Sequence, residues 1–219
     1  MSARGNLPAA WYRGDCRACP RLSRFLDRVR RSHGDYHCKP VAPCGARRAQ
    51  LLVVGLAPGK HGANATGRPF TGDHAGVLLY RTLHRFGFCS TPHSRRRGDG
   101  LKLHNCRITN AVKCLPPANK PSADEVARCN RYLAAELTEP HLKLILALGH
   151  LAHRAVLRAL GLTAGRYPFA HNARHALDNG LALIDSYHCS RYNTRTGRLT
   201  EAMFDQVFEQ IAAQLSAPA

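Results

Sequence analysis

The sequence is poor in acidic residues and has no long apolar segment. It contains 14 Asp and Glu against 32 Lys and Arg, a formal net charge of +18. Such an excess attracts polyanions, so nucleic acid is the first partner to consider and an anionic membrane the second. No apolar run approaches the roughly 20 residues of a membrane-spanning helix, and Met1–Trp11 lacks the apolar core of a signal peptide. We therefore expect a cytoplasmic, nucleoid-associated protein with no membrane partner.

The same lack of an export signal bears on the nine cysteines. A reducing cytosol disfavours disulfides, so the sequence predicts that some cysteines are metal ligands and others are small buried residues. Cys16 and Cys19 form a C-x2-C pair, which is typical of a metal site. Cys106 begins an apolar run and is most simply a core residue. Cys38 and Cys44 are close enough in sequence for a second metal site, although unligated thiols are the simpler interpretation.

Apolar periodicity predicts an α/β fold. Short runs rich in Val, Ile and Leu predict four strands buried on both faces: Leu51–Ala57, Cys106–Lys113, Leu142–Leu148 and Leu181–Tyr187. Helical spacing predicts five helices: Pro20–Arg31, Asp73–Phe86, Ser122–Leu137 (with Ser122 as N-cap), His150–Leu160 and Thr200–Leu215. Their alternation indicates a three-layer α/β/α sandwich with a central four-stranded parallel sheet. We expect a single domain over residues 1–219 and a monomer.

Three unusual loops follow directly on predicted strand ends: Ala57–Gly72, Cys114–Pro121 and His188–Leu199. Ligand sites of parallel α/β sheets lie at the carboxyl ends of the strands, so these loops should meet at one site. The first loop is rich in Gly and Pro, which brings bare backbone close to a ligand. It lacks the Gly-Lys-Ser/Thr ending of a phosphate-binding P-loop.

Two residues of the first loop and one basic stretch each allow two interpretations. Phe70 lies among turn residues and is available to stack on a planar ring, or it anchors the loop in the core. Asp73 is either a polar group of the site or the N-cap of the following helix. The stretch Ser94–Gly98 is either a solvated basic turn or a contact to a DNA backbone.

The loops also resemble a known family. Gly55–Gly59 (Gly-Leu-Ala-Pro-Gly) and Thr66–Asp73 (Thr-Gly-Arg-Pro-Phe-Thr-Gly-Asp) resemble the first motif of family 5, or type B, uracil-DNA glycosylases. Asn110–Pro121 resembles the family's middle segment, and Ser186–Thr194 with Gly197–Thr200 resembles its second catalytic motif. The resemblance implies a uracil-DNA glycosylase-like fold and a DNA N-glycosylase that initiates base excision repair.

The resemblance also implies a set of site residues. Most branches of the superfamily place Asp, Asn or Glu where Ala57 stands, whereas family 5 is similar to this chain in having alanine. The missing polar group is then supplied by Asp73, with Asn119 and His188 completing the catalytic set. The implied base-binding residues are Gly55, Ala57, Gly59, Phe70 and Asn110, and the implied DNA-binding residues are Ser190, Arg191 and Asn193. In this scheme Phe70 stacks on the base, Asn110 or Asn119 reads its edge, and the His188 N–H stabilises the negative charge of the departing base.

The family's cysteine pattern implies that Cys16, Cys19, Cys114 and Cys129 bind a [4Fe–4S] cluster. Tetrahedral zinc would use the same ligands and is the alternative. We expect the cluster to have a structural role, tying the N-terminal segment to the loop that carries Asn119.

The expected activity is flipping and hydrolytic removal of uracil, and of other deaminated bases such as hypoxanthine, from double- and single-stranded DNA. No catalytic lysine motif is present, which indicates monofunctional hydrolysis without strand cleavage. The alternatives are a non-catalytic iron–sulfur DNA-binding protein, a redox iron–sulfur protein, and a relative that traps the abasic sugar covalently. The basic insertion typical of that last branch is not seen after the first motif.

Overall fold

A six-stranded sheet forms the centre of the structure, which is a computed structural model describing residues 12–46 and 48–216. The strands are β1 (Cys44–Gly45), β2 (Leu51–Gly55), β3 (Cys106–Asn110), β4 (Leu144–Leu148), β5 (Arg174–Ala176) and β6 (Ala182–Ser186), in the order β1-β3-β2-β4-β6-β5. Met1–Trp11, considered above for a signal peptide, lies outside the described residues. No helix in the described ranges is long and apolar enough to cross a membrane.

The four parallel strands predicted from the apolar runs are confirmed as the centre of the sheet. β3, β2, β4 and β6 pair in parallel, and all five residues of each strand are buried. The strand count was wrong, because β1 and β5 add short antiparallel edges beside β3 and β6. These edge strands have two and three residues with partly exposed side chains, so they leave no apolar run in the sequence.

The predicted strand ends were also wrong. β2 stops at Gly55 rather than Ala57, and β3 stops at Asn110 rather than Lys113. The run beyond Asn110 is apolar because it stays buried, but the chain there leaves the sheet and turns the Lys113 ammonium back towards the Asn110 carbonyl. Burial and strand pairing therefore end at different residues.

The helices are α1 (Pro20–Ser32), α2 (Ala63–Thr66), α3 (His74–Arg85), α4 (Ala123–Leu137), α5 (His150–Ala159), α6 (Arg191–Arg195) and α7 (Glu201–Ser216). The five predicted helices correspond to α1, α3, α4, α5 and α7 within two residues at each end. Ser122 is the predicted N-cap of α4, and Glu125 completes a capping box with it. The four- and five-residue helices α2 and α6 were not predicted, since each is a single turn inside a site loop.

Alternate strand residues point into two separate cores, which confirms the three-layer arrangement. Val53 and Ile108 pack on one face against Leu79 of α3 and Phe208 of α7. Val54 belongs to the core on the other face, which includes side chains of α4 and α5. Helices cover both faces of the sheet, so a ligand can reach the strands only at the sheet's edges. In parallel α/β sheets the ligand site lies at the carboxyl ends of the strands.

Candidate active site

A cavity of about 520 Å³ opens at the carboxyl ends of the parallel strands. All three loops singled out from the sequence contribute to its wall, together with the end of β3. The residues lining it are Leu56, Ala57, Gly59, Lys60, His61, Gly62, Ala63, Phe70, Asp73, His74, Ala75, Asn110, Asn119, His188, Ser190 and Arg191. Its volume is in the range of small-ligand sites.

Phe70 forms one wall of this cavity and belongs to the core at the same time. The side chain is 7% exposed, and its ring centroid lies 6.1 Å from that of His188. A Cβ atom on Gly55 would come within 2.6 Å of the ring's Cζ, so the ring rests on bare backbone. Phe70 adopts a φ of 51°, a left-handed conformation that costs a non-glycine residue about 1–2 kcal/mol. Both interpretations of Phe70 therefore apply, because the ring anchors the loop in the core and also lines the cavity.

Asp73 likewise combines the two interpretations given above. Its Oδ1 accepts the backbone N–H of Gly76 at 3.2 Å, which makes it the N-cap of α3. Its Oδ2 lies over Gly59 and Gly62 at the cavity wall, where a Cβ atom on Gly62 would overlap it. Within the described residues this second oxygen has no protein hydrogen-bond partner, so it is free to accept a proton or a water molecule.

The two asparagines occupy different depths. Asn110 is 4% exposed at the end of β3, and its Oδ1 lies beside Gly55. Its backbone carbonyl accepts a hydrogen bond from Lys113 Nζ at 2.8 Å. That ammonium forms a buried ion pair with Glu136 at 2.6 Å, which fixes the end of the strand. Asn119 is exposed at the rim of the cavity, in a 3-10 turn where its φ is 56°.

His188 faces Phe70 from the loop after β6. Burial lowers the pKa of the His188 imidazole, and the nearby Asp73 carboxylate only partly offsets this. The ring is therefore neutral at neutral pH and keeps one N–H to donate. Its backbone carbonyl accepts a hydrogen bond from Asn193 Nδ2 at 2.8 Å, and Gly149 leaves room for its Cβ.

Of the other predicted site residues, four line the cavity and two do not. Ala57, Gly59, Ser190 and Arg191 line the cavity, as the sequence indicated. Gly55 lies behind Phe70 and Asn110 rather than on the wall. The Asn193 amide donates a hydrogen bond to the His188 carbonyl, so this residue holds the loop after β6 and does not line the cavity.

Sequence reasoning missed several residues of the site. Lys60 and His61 line the cavity, and His61 Nδ1 is hydrogen-bonded to the Tyr36 hydroxyl at 2.8 Å. Their position inside the first motif was the available signal. The Lys113–Glu136 pair gave no signal, because its members are 23 residues apart and look like ordinary charged residues.

Four cysteines surround a small cavity between α1, α4 and the loop after β3. Cys16, Cys19, Cys114 and Cys129 all line it, next to Arg131 and Tyr132. Burial raises the pKa of the Cys114 and Cys129 thiols. At Cys16 burial acts in the same direction, but hydrogen bonds from Tyr132, Ala18 and Arg131 outweigh it and lower the pKa.

Two features of this cysteine set bear on what it can hold. The backbone N–H of Lys113 donates to Cys129 Sγ at 3.3 Å, which is the kind of contact that supports a thiolate ligand. In the described part of the chain, the one group of three or more metal-ligating residues whose ligand atoms lie within 4.8 Å of one another is His153, His175 and Asp185. The cysteine sulfurs are therefore spread more widely than the roughly 3.8 Å that bonds of 2.3 Å to one tetrahedral zinc ion require.

Of the five remaining cysteines, four are buried and Cys44 is half-buried. Cys106 and Cys189 are fully buried in the core on the α3 side, and burial raises the pKa of Cys189 to about 12. Cys38 accepts a hydrogen bond from Asn64 Nδ2 at 3.5 Å. Cys44 lies in β1, where burial raises its pKa to about 11. These environments favour the simpler interpretation, unligated thiols, for Cys38 and Cys44.

Comparison with known proteins defines the class. The family model described as "Uracil DNA glycosylase superfamily" matches residues 42–212, which is most of the chain. Curated relatives named type-5 uracil-DNA glycosylase are 45% identical in Thermus thermophilus (198 residues, 88% of this chain and 90% of the relative) and 45% in Mycobacterium leprae (202 residues, 88% of each). One from Pyrobaculum aerophilum is 39% identical over 221 residues, 96% of each chain. The chain belongs to the uracil-DNA glycosylase superfamily and, within it, to the type-5 family.

Proposed function

We propose that this protein is a DNA N-glycosylase that removes uracil from DNA in DNA repair. The names of its type-5 relatives support this activity. The observation that carries it is the position of the Asp73 carboxylate and the His188 imidazole in one base-sized cavity with the Phe70 ring. A non-catalytic DNA-binding protein has no need of this combination.

The base enters the cavity after the nucleotide is rotated out of the duplex. The ring of Phe70 supports one face of the base, and the Asn110 amide, which presents both a donor and an acceptor, reads its edge. Gly55 permits this arrangement, because a side chain there would displace both Phe70 and Asn110. The Lys113 ammonium positions Asn110 indirectly, by donating a hydrogen bond to its backbone carbonyl.

Hydrolysis replaces the bond between C1′ of the sugar and the base with a bond to water oxygen. The base leaves with the bonding electrons, and the neutral His188 donates its N–H to the oxygen on which negative charge develops. The free Oδ2 of Asp73 orients the attacking water, accepts its proton and stabilises the positive charge on the sugar. Asn119, at the rim, is placed to hold the same water or the sugar.

The surroundings of the cavity suit a DNA backbone. Ser190 and Arg191 lie at its edge, on the first turn of α6. Their hydroxyl and guanidinium groups can hold the phosphates flanking the flipped nucleotide. The net charge of +18 adds a long-range attraction for single- and double-stranded DNA.

The same geometry supports a broader substrate range and a monofunctional reaction. Ala57 lines the cavity where a larger polar residue would narrow it, so a deaminated purine such as hypoxanthine is expected to fit beside uracil. The buried Lys113 ammonium is committed to Glu136, whereas Lys60 lines the cavity wall and is the lysine that a test for a covalent adduct must exclude. We propose hydrolysis without a lysine–sugar adduct, so borohydride should trap no covalent complex.

We further propose that Cys16, Cys19, Cys114 and Cys129 hold a [4Fe–4S] cluster with a structural role. The four side chains surround one cavity, and N–H and O–H donors reach the sulfurs of Cys16 and Cys129. The set joins the segment before α1 to α4 and to the loop that leads to Asn119. Supplied with iron and sulfide, the protein should be brown and contain about four irons per chain, whereas a colourless protein with one zinc per chain would contradict this.

The direct test incubates the protein with a duplex carrying a single uracil and then with alkali. We expect abasic sites that break only on alkali treatment, in equal amount to the free uracil released. Strand breaks without alkali would overturn the monofunctional assignment, and intact DNA under every condition would leave the non-catalytic alternative.

A further inference from the structure

An arginine-rich loop stands beside the cavity, and we propose that it binds the phosphate backbone of duplex DNA a few nucleotides from the flipped base. The inference rests on the proposed function in one respect, namely that DNA is the substrate. The loop is the stretch Ser94–Gly98 between α3 and β3, and the side chains of Arg95, Arg96 and Arg97 are exposed. None of these three has an ion pair with an acidic side chain elsewhere in residues 12–46 or 48–216. Their charges therefore remain available to an anion.

The backbone of this loop is fixed by Asp99. Its Oδ2 accepts the backbone N–H of Arg95 at 2.8 Å and of Arg96 at 3.2 Å, and its Oδ1 accepts that of Leu101 at 3.2 Å. These bonds close a compact turn. The consecutive arginine side chains are consequently displayed from a rigid support, which reduces the entropy lost when they bind.

Asp99 is in turn tied to the loop that forms the cavity. Arg68 binds it with two parallel hydrogen bonds of 2.9 and 2.6 Å, and the two side chains are only 11% and 12% exposed. Arg68 also donates to Ser94 Oγ at 2.7 Å and to Thr71 Oγ1 at 3.0 Å. The Arg68 guanidinium holds the pKa of the Asp99 carboxyl well below its usual range, so the pair stays charged under all working conditions.

This support distinguishes the loop from an ordinary solvated turn. Exposed ion pairs contribute little to stability, whereas a shielded bidentate pair imposes a defined geometry. Thr71, one of the groups it reaches, is the residue after Phe70 in the chain. The three arginines are therefore held at a fixed position relative to the wall of the base cavity.

The position of the loop suits a DNA strand crossing the cavity. Arg68 lies near Cys44 of β1, on the β3 side of the sheet, while Ser190 and Arg191 follow β6 on the other side. Strands lie about 4.8 Å apart, so β3 and β6 are about 14 Å apart, which equals about four base-pair steps along the axis of a DNA duplex. Basic groups on both sides of the cavity would hold the backbone before and after the flipped nucleotide.

The test compares two variants that each lose three positive charges. In the loop variant, Arg95→Gln, Arg96→Gln and Arg97→Gln keep the backbone N–H groups that Asp99 needs. The control variant, Arg48→Gln, Lys143→Gln and Arg158→Gln, removes exposed charges away from the loop, two just before β2 and β4 and one in the last turn of α5. Binding to an undamaged duplex is measured over a series of salt concentrations, and uracil release is measured separately under saturating protein.

We expect the loop variant to bind the duplex at least about tenfold more weakly. Its slope of log affinity against log salt should shrink by about 0.9 for each phosphate that the variant no longer neutralises, or about 1.8–2.7 for two or three phosphates. The control should change the slope by less than half of that, and its single-turnover uracil release under saturating protein should be unchanged. Neutral methylphosphonate linkages placed singly along the strand should weaken the wild type at positions where they no longer affect the loop variant.

Equal losses of affinity in the two variants, or no loss in the loop variant, would overturn the proposal, since net charge alone would then explain binding. The outcome does not depend on the glycosylase assignment, because the binding assay uses undamaged DNA. A wild-type protein that releases no uracil, with a loop variant that still loses affinity, would refute the proposed function and leave the binding surface in place.

Discussion

At the scale of single residues, Asp73 has two tasks that one substitution can separate. One carboxylate oxygen caps α3 and the other faces the cavity. Asparagine caps a helix as well as aspartate does but carries no charge. We therefore expect Asp73→Asn to fold with unchanged stability and to lose turnover by about 100-fold or more, with DNA affinity preserved, as measured by single-turnover kinetics and denaturant unfolding.

The companion variant Asp73→Ala loses both tasks. It should show the same loss of turnover and, in addition, about 1 kcal/mol of stability from the missing cap. If Asp73→Asn keeps wild-type turnover, the carboxylate has no part in the reaction and Asp73 is only a cap.

Residues differ in how far their roles could be predicted from sequence. Phe70 and Asp73 were conspicuous because an aromatic ring and an acid stood in a Gly- and Pro-rich loop, and the structure shows that both also serve the fold. Asn193 could not be placed in advance, because whether its amide points to solvent or to the His188 carbonyl depends on the turn of α6. The Lys113–Glu136 pair was invisible for the same kind of reason, since burial of a lysine depends on a partner from another element.

At the scale of elements, the glycines of the loop after β2 leave space for the Asp73 carboxylate at the cavity wall. We expect Gly62→Ala to displace this carboxylate, since the new Cβ would overlap Oδ2, and to lower turnover by about tenfold or more. Gly59→Ala is the milder comparison, because its Cβ would lie 3.2 Å from the same oxygen, a tight contact that a shift of a few tenths of an ångström relieves. Equal activity of the two alanine variants in a uracil-release assay would contradict this account of the loop.

The cysteine set connects elements that are far apart in sequence. Replacing Cys129 by serine should abolish the brown colour, lower the iron content and reduce the thermal midpoint, because α4 loses its tie to the segment before α1. Replacing Cys106, which is a core residue in β3, by alanine should leave the iron content unchanged. Iron analysis of the two purified variants checks this, and a loss of iron in both would refute the assigned ligands.

Sequence periodicity located the longer helices and the central strands but not the shorter elements. Buried parallel strands and long amphipathic helices were located within a few residues, since burial on two faces or one leaves a regular pattern. The edge strands β1 and β5 and the one-turn helices α2 and α6 were missed. Each is held by its neighbours rather than by its own pattern, so its sequence carries little periodic information.

At the scale of the whole molecule, partly buried histidines make stability depend on pH. Burial lowers the pKa of His37, His171 and His188 below the ordinary value of 6.5. Below about pH 6.5 the unfolded chain takes up protons that the folded chain resists. The free energy of unfolding should therefore decrease as the pH is lowered through that range. A further loss is expected below about pH 4, because in the unfolded chain the carboxyls of Asp99 and Glu125 take up protons that their lowered pKa values in the fold resist.

Denaturant unfolding measured between pH 8 and pH 5 checks the first of these losses. His171→Gln, which removes one of the three histidines away from the proposed catalytic set, should flatten the dependence in part. Stability that is constant from pH 7 to pH 5 would show that these imidazoles are not shielded from water as the fold indicates.

We propose that Asp73 and His188 face a base held on Phe70 in one cavity, and that together they promote cleavage of the bond between uracil and deoxyribose. Single-turnover release of free uracil from a single-lesion duplex, quantified by mass spectrometry for wild type, Asp73→Asn and His188→Ala, tests it most directly. We expect complete release by the wild type and a rate at least about 100-fold lower for each variant, with DNA binding retained. Release of no uracil by the wild type, or equal rates in all three proteins, would contradict it.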